Sequence, residues 1–270
     1  MFFLGLEGVR AFQGCPQEVC MGLFDKEQLI LVTGASSGIG RACAHELIRE
    51  GAIVVASGRD ARKLEEGGAS SPDPQRWHSS PLDLAGNIDR LADWLGEQRQ
   101  KHGKFHGLLH AAGELVFDSL EDLTPDQASR HFELNYLAPV FLARAFARQE
   151  NSHDNSSLVF LASISGEHPE KGLLLYGSAK AALIAAVKAM SQEISSRGLR
   201  ANCVSPAMID TPMLDGMRAR LGDEYMRREI ARYPLGLGKP GDVANLACFL
   251  LSQKASWITG QNFTMDGGEI

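Results

Sequence analysis

Cysteine is scarce. The 270-residue chain carries five, Cys15, Cys20, Cys43, Cys203 and Cys248, with no Cys-x-x-Cys spacing. An odd, scattered set excludes a disulfide framework and a cysteine zinc site, and it fits a reducing, cytoplasmic compartment. Long apolar runs are missing too. The richest stretch, residues 179–190, holds Lys180 and Lys188 and falls short of the ~20 apolar residues of a membrane span. The N-terminus is broken early by Glu7 and lacks the basic start of a signal peptide. Nor is there an excess of positive charge, since 27 Lys and Arg against 33 Asp and Glu leave −6. A general nucleic-acid binder needs a concentrated basic face. Neither nucleic acid nor membrane is therefore expected as a partner.

Apolar residues make up 44% and charged residues 22%, the balance of a globular chain. Short apolar runs at 29–33, 53–56, 76–81, 107–110, 157–162, 200–204 and 262–265 read as strands. Helical stretches lie between them at 41–50, 60–66, 88–101, 125–149, 174–195, 213–232 and 242–251. Continuous apolar strands joined by helices give a parallel sheet covered on both faces, and right-handed crossovers make it doubly wound. The fold class is α/β: a single Rossmann domain with a seven-stranded parallel sheet flanked by helices. No break long enough to divide domains occurs. Residues 1–24 read as an extension ahead of a domain spanning 25–270.

Residues 29–40, Leu-Ile-Leu-Val-Thr-Gly-Ala-Ser-Ser-Gly-Ile-Gly, run from a strand through a glycine turn into a helix. Gly34, Gly38 and Gly40 permit a tight turn and a close backbone approach to a pyrophosphate, which the helix N-terminus attracts. An NAD site places a carboxylate at the end of the next strand. This chain has Gly58 and then Arg59, and a guanidinium pairs with a ribose 2′-phosphate. NADP(H) is therefore favoured over NAD(H). The alternative is that Arg59 is a solvated helix start, with Asp60 as its partner or as a helix cap.

Tyr176-Gly-Ser-Ala-Lys180 opens an apolar helix, and i,i+4 spacing puts phenol and ammonium on one face. A nearby cation lowers a phenol pKa from ~10, which makes Tyr176 a candidate general acid or base. Ser163 follows the apolar strand thirteen residues earlier and could polarise a substrate oxygen; Ser165 is its rival.

On these motifs the chain resembles the short-chain dehydrogenase/reductase family from about Gln28 to Gly268. The glycine turn matches the family's cofactor turn, Tyr176 and Lys180 its catalytic pair, Ser163 its serine, and Asn135 the asparagine that completes the tetrad. Asp83 matches a carboxylate near the adenine, and Pro206 and Thr211 belong to the nicotinamide-side loop. The resemblance implies a catalytic set of Asn135, Ser163, Tyr176 and Lys180. It also implies a dinucleotide held by Gly34, Ser36, Ser37, Gly38, Ile39, Gly40, Arg59, Asp83, Leu84, Ala112, Gly113, Asn135, Tyr176, Lys180, Pro206, Ile209 and Thr211. Hydride would pass between nicotinamide and a carbonyl or secondary alcohol, and a 3-oxoacyl thioester or a sugar-like molecule is a candidate substrate. Lys180 would bind the nicotinamide ribose and lower the tyrosine pKa, while Asn135 would hold a water. Bacterial 3-oxoacyl-carrier-protein reductases look like near relatives, and a homodimer or homotetramer is implied. The chain departs from the family in two places. His110-Ala-Ala-Gly113 stands where Asn-Asn-Ala-Gly is usual, so the bracing bond of an asparagine at Ala111 is in doubt. Pro206-Ala207 replaces Pro-Gly.

His102, His106 and His110 recur every four residues, yet Gly103 and Gly107 interrupt any helix, so packed or solvated rings are expected rather than a metal site. Arg218, Arg220, Arg227, Arg228 and Arg232 are interleaved with acids and read as a solvated helix face; in relatives this region is a substrate lid. Residues 114–117, 165–173 and the lid should line the substrate pocket. Glu167, His168, Glu170 and Lys171 suggest a polar substrate. The competing reading is a non-catalytic dinucleotide sensor on the same fold.

Overall fold

The computed structural model describes residues 22–269. Seven strands form one parallel sheet: β1 (Leu29–Thr33), β2 (Ile53–Gly58), β3 (Trp77–Pro81), β4 (Phe105–His110), β5 (Ser152–Leu161), β6 (Arg200–Pro206) and β7 (Asn262–Met265), in the order β3-β2-β1-β4-β5-β6-β7. The helices are α1 (Gly38–Arg49), α2 (Ala61–Ala69), α3 (Leu91–His102), α4 (Pro125–Phe132), α5 (Ala138–Phe146), α6 (Leu174–Glu193), α7 (Pro212–Leu221), α8 (Asp223–Ile230) and α9 (Pro240–Leu251). This is the doubly wound α/β sandwich that the alternating pattern predicts. The strand order reverses between β1 and β4, and the crevice at the carboxyl ends of these strands is where such sheets take ligands.

The period of two along each strand divides the core. In β1, Ile30 and Val32 face one side with Val54, Leu109 and Val159, beneath Leu47 and Ala247 of α1 and α9. Leu29 and Leu31 face the other side with Leu108, Leu158 and Phe160, beneath Leu95, Leu142 and Leu183 of α3, α5 and α6. Both faces are sealed at the centre of the sheet, so β1 and β2 read as near-continuous apolar runs.

Three boundaries, and the reading of one apolar helix, differ from the sequence reading. Most of the expected extension, residues 1–21, lies outside the described residues. Its last part packs: Phe24 is 6% exposed within the core and its amide donates to Glu50 O. The helix expected over 125–149 is two helices joined by a π-helical turn at Glu133–Leu137, where the Ala138 amide donates to Glu133 O. Pro139 is the cause: it has no N–H to offer the Asn135 carbonyl four residues earlier. The stretch 213–232 divides at Gly222, whose φ is +83°. Finally, despite its lysines, α6 is long and apolar enough to cross a membrane, with a mean hydropathy of 1.2; here Leu183, Ile184 and Val187 bury it against the sheet.

Candidate active site

The glycine turn leaves β1 at Gly34, whose φ of +69° suits glycine alone, and enters α1. A Cβ on Gly40 would stand 2.2 Å from Gly34 O, so the turn can be this tight only without a side chain. Ser37 caps α1 with no side-chain hydrogen bond, which leaves the helix N-terminus and the Ser37 hydroxyl open to an anion. Above them lies a cavity of about 230 Å³ lined by Gly34, Ser36, Ser37, Gly38, Ile39, Gly40, Arg59, Asp83, Leu84, Ala112, Gly113 and Thr211. Ser57 and Gly58 close its far end beside Arg59, and the Ser57 hydroxyl is buried with no partner. Asp60 caps α2 by accepting from the Lys63 amide at 3.0 Å, which settles its role as a cap. A glycine turn that a Cβ at Gly40 would fill, an open helix end, a basic side chain and an orphan hydroxyl together fit a dinucleotide.

A second cavity, of about 160 Å³, continues from the first and shares Ile39, Ala111, Gly113, Leu161, Thr211 and Met213 with it. Ser163, Ser165, Tyr176, Lys180, Pro206 and Ile209 line it. β5 delivers Ser163 and the first turn of α6 delivers Tyr176, both buried. Ser165 lines the same cavity, and its amide donates to Ser163 Oγ at 3.2 Å. Lys180 Nζ donates to Leu161 O at 2.8 Å and stands 5.6 Å from the centre of the Tyr176 ring. The spacing thus puts both groups in one compartment, but the expected acidification of the phenol does not follow in this state. Burial pushes the Tyr176 pKa above its ordinary value, and the group that opposes this is the Ser163 hydroxyl. Burial also lowers Lys180, to about 8.

Asn135 lines neither cavity. It sits behind Gly113 in the π turn, 1% exposed, and its Nδ2 donates to Glu114 O and His131 O, both at 3.2 Å. The bond in doubt at Ala111 is supplied otherwise, because His110 Nδ1 lies 3.0 Å from Thr33 Oγ1 across the β1–β4 pairing. Burial, then Lys180, push His110 down to about 3. The three periodic histidines part company: His102 stacks on His78, His106 on His153, and His110 enters the core.

The substrate end needs residues from separate segments. Leu115, Ile164, Leu173, Met208, Met213, Leu214 and Met217 give it an apolar wall, and Glu170, Glu229, Tyr225 and Tyr233 a polar one. Of the charged run expected there, Glu170 alone faces the cavity; Glu167 instead accepts from Thr264 Oγ1 at 2.9 Å. Val116 and Phe117 line a third cavity. Spacing gave no signal for Met208, Tyr225 and Tyr233. Within the arginine-rich stretch, Arg232 binds Glu229 at 2.8 Å, Glu170 at 3.6 Å and Glu269 at 2.7 Å.

A family model described as "Enoyl-(Acyl carrier protein) reductase" matches residues 34–269. Human "Dehydrogenase/reductase SDR family member 4" is 28% identical over 250 residues, covering 89% of this chain and 87% of that protein. The "3-oxoacyl-[acyl-carrier-protein] reductase FabG" of Thermotoga maritima is 28% identical over 250 residues, covering 90% and 98%. A solved short-chain dehydrogenase/reductase from Brucella melitensis superposes with a TM-score of 0.84 at 27% identity, covering 92% and 98%. Members of this family bind a nicotinamide cofactor and act on small molecules. The chain belongs to the short-chain dehydrogenase/reductase family and is an oxidoreductase acting on a carbonyl or CH–OH group.

Proposed function

We propose that this chain is an NADP(H)-dependent carbonyl reductase, reversible as an alcohol dehydrogenase, with Tyr176 as its general acid and base. The observation that carries the reading is the continuity of the two cavities, from the glycine turn to Ser163 and Tyr176. Gly34, Ser36, Ser37, Gly38, Ile39 and Gly40 would hold the pyrophosphate, Asp83 and Leu84 the adenine side, and Arg59 the 2′-phosphate. Ala112, Gly113, Pro206, Ile209 and Thr211 would border the nicotinamide half, with Lys180 on its ribose. The bound dinucleotide supplies the hydride. Ser163 donates a hydrogen bond to the substrate oxygen and orients it. Tyr176 then transfers its phenolic proton to that oxygen, and the Lys180 ammonium, resupplied from solvent through a water that Asn135 would hold, returns a proton to the phenol.

The substrate wall favours a molecule with an apolar body and a polar, non-anionic end. Glu170 and Glu229 repel a carboxylate, while Tyr225 and Tyr233 offer hydroxyls. We also read the enzyme as a homodimer or homotetramer of the cytoplasm; Leu137 of the π turn and Phe141 of α5 are 36% and 38% exposed, and Cys43, Cys203 and Cys248 are free buried thiols. Two experiments test the reading. Titration of fluorescence with NADPH and NADH should give tighter binding of NADPH. A panel of a 3-oxoacyl thioester, an enoyl thioester, a sugar and neutral and anionic ketones should show turnover at a carbonyl and none at the C=C bond. Absence of NADPH binding overturns the cofactor assignment, and turnover of the enoyl thioester alone overturns the reaction.

A further inference from the structure

His131 ends α4 on the helix face that carries Asn135 four residues on, and it is 3% exposed. Its Nε2 lies 3.2 Å from Asn135 Nδ2. That same Nδ2 faces two carbonyl oxygens, Glu114 O and His131 O, each at 3.2 Å. Carbonyls only accept, so the amide nitrogen must face them and Oδ1 must face away. His131 Nε2, opposite an NH₂ group, is then an acceptor, and the ring carries its proton on Nδ1. On the other side of the amide, Oδ1 is buried with no partner. A Cβ on Gly113 would stand 2.8 Å from Asn135 Oδ1 and 3.4 Å from Lys180 Nζ, so these two atoms converge over one glycine. The His131 ring also meets the Tyr176 ring edge-on, with centroids 6.2 Å apart at 72°.

We infer that His131 is a positioning residue: as a neutral imidazole it fixes the Asn135 amide with Oδ1 toward Lys180 and buttresses the Tyr176 ring. The inference rests on the roles proposed above for Asn135 and Tyr176. A proton on Nε2 would set N–H against N–H, and turning the amide over would set its oxygen against two carbonyl oxygens. Protonation of His131 therefore costs the site its Asn135 orientation. The charged and titratable groups around the ring are Glu114, Asp118 and Asp122 from the β4–α4 segment, Lys180 and Tyr176 from α6, Arg130 of its own helix, and Arg220 of α7 across the cavity of about 280 Å³ that His131 lines. Burial is the largest influence and keeps the ring neutral, with Lys180 acting the same way and Glu114 and Asp118 opposing.

The test uses the full chain with NADPH. His131→Phe keeps an edge-on ring and removes the acceptor. It should lower kcat about tenfold, the worth of one hydrogen bond, while NADPH binds as in wild type. His131→Gln restores an acceptor that does not titrate, so it should recover kcat and lose the acid limb of the kcat–pH profile. A folded Phe variant with unchanged kcat, or a Gln variant that keeps the wild-type acid limb, overturns the proposal. Two-bond ¹H–¹⁵N spectra of the histidine rings provide a readout independent of turnover. They should show His131 protonated on Nδ1, with a shift in the Asn135→Ala variant. An Nε2-protonated ring overturns the proposal, whether or not any carbonyl compound is reduced. Failure of every carbonyl compound to react would instead strike the Tyr176 assignment, with the spectra still deciding His131.

Discussion

The two ends of the cleft are made of different materials. The dinucleotide end consists largely of backbone and small residues from β1, the glycine turn and the tips of β2 and β4. Its shape depends on atoms that are absent, as at Gly40. The substrate end is built from long side chains, Met208, Met213, Met217, Tyr225 and Tyr233, which all come from the segment of residues 208–233 that follows β6. A backbone cradle tolerates almost no change and serves one ligand class. A wall of flexible methionines can be repacked. The fold thus keeps its cofactor chemistry constant and leaves its substrate preference to residues that can vary.

The sharpest way to separate the two ends is Tyr176→Phe, which should lower kcat by about 10²–10⁴-fold and leave NADPH affinity intact; fluorescence titration beside steady-state kinetics checks both. Loss of NADPH binding would mean that the two ends are one unit. Next comes acid. His110 has an ordinary pKa of 6.5 and sits near 3 in the fold, so below pH 6.5 the unfolded chain binds a proton that the folded chain refuses. Stability is complete above that pH and falls with decreasing pH, by about 2 kcal/mol from this residue at pH 5. Urea unfolding at pH 7 and 5 measures this, and His110→Asn should flatten the difference. The contrast in tolerance is tested by a pair of substitutions. Gly40→Ala should cost about 1–3 kcal/mol of stability and abolish NADPH binding, whereas Met217→Ala in the partly open wall should cost less than about 1 kcal/mol and alter KM for substrate only. The smallest effect belongs to Arg59, which is exposed at the cleft rim. Arg59→Ala should weaken NADPH about tenfold and leave NADH unchanged.

Legibility followed the same division. The sheet, its parallel sense and the glycine turn were readable because each depends on local spacing: short continuous apolar runs alternating with helical stretches, and glycines at fixed offsets. Tyr176 and Lys180 were readable as neighbours because helical geometry fixes i,i+4 contacts. Their acidity was not, since it depends on how deeply the tertiary fold buries them. Nor was the role of His110, which the four-residue repeat grouped with His102 and His106 until the strand pairing set it against Thr33. The substrate wall was half legible. Glu170 and Leu173 fall within the expected segment, but Met208 and Tyr233 reach the cavity only through the folded path of the lid. The break at Gly222 and the π turn ahead of Pro139 had signals in the sequence, namely a glycine and a proline inside helical stretches.

The π turn has a consequence for how this protein can tolerate change in length. A π-helical turn holds one residue more than the α-helical pattern, and each residue turns a helix by about 100°. Because the wide turn fits that extra residue into a full rotation, α5 leaves it with Leu142 and Phe146 against the sheet and Phe141 outward. Deleting a single residue between Glu133 and Leu137 would narrow the turn and keep that phase, but it would take Asn135 out of its place behind Gly113. The irregularity thus sets Asn135 apart from the helical pattern without disturbing the packing of the next helix.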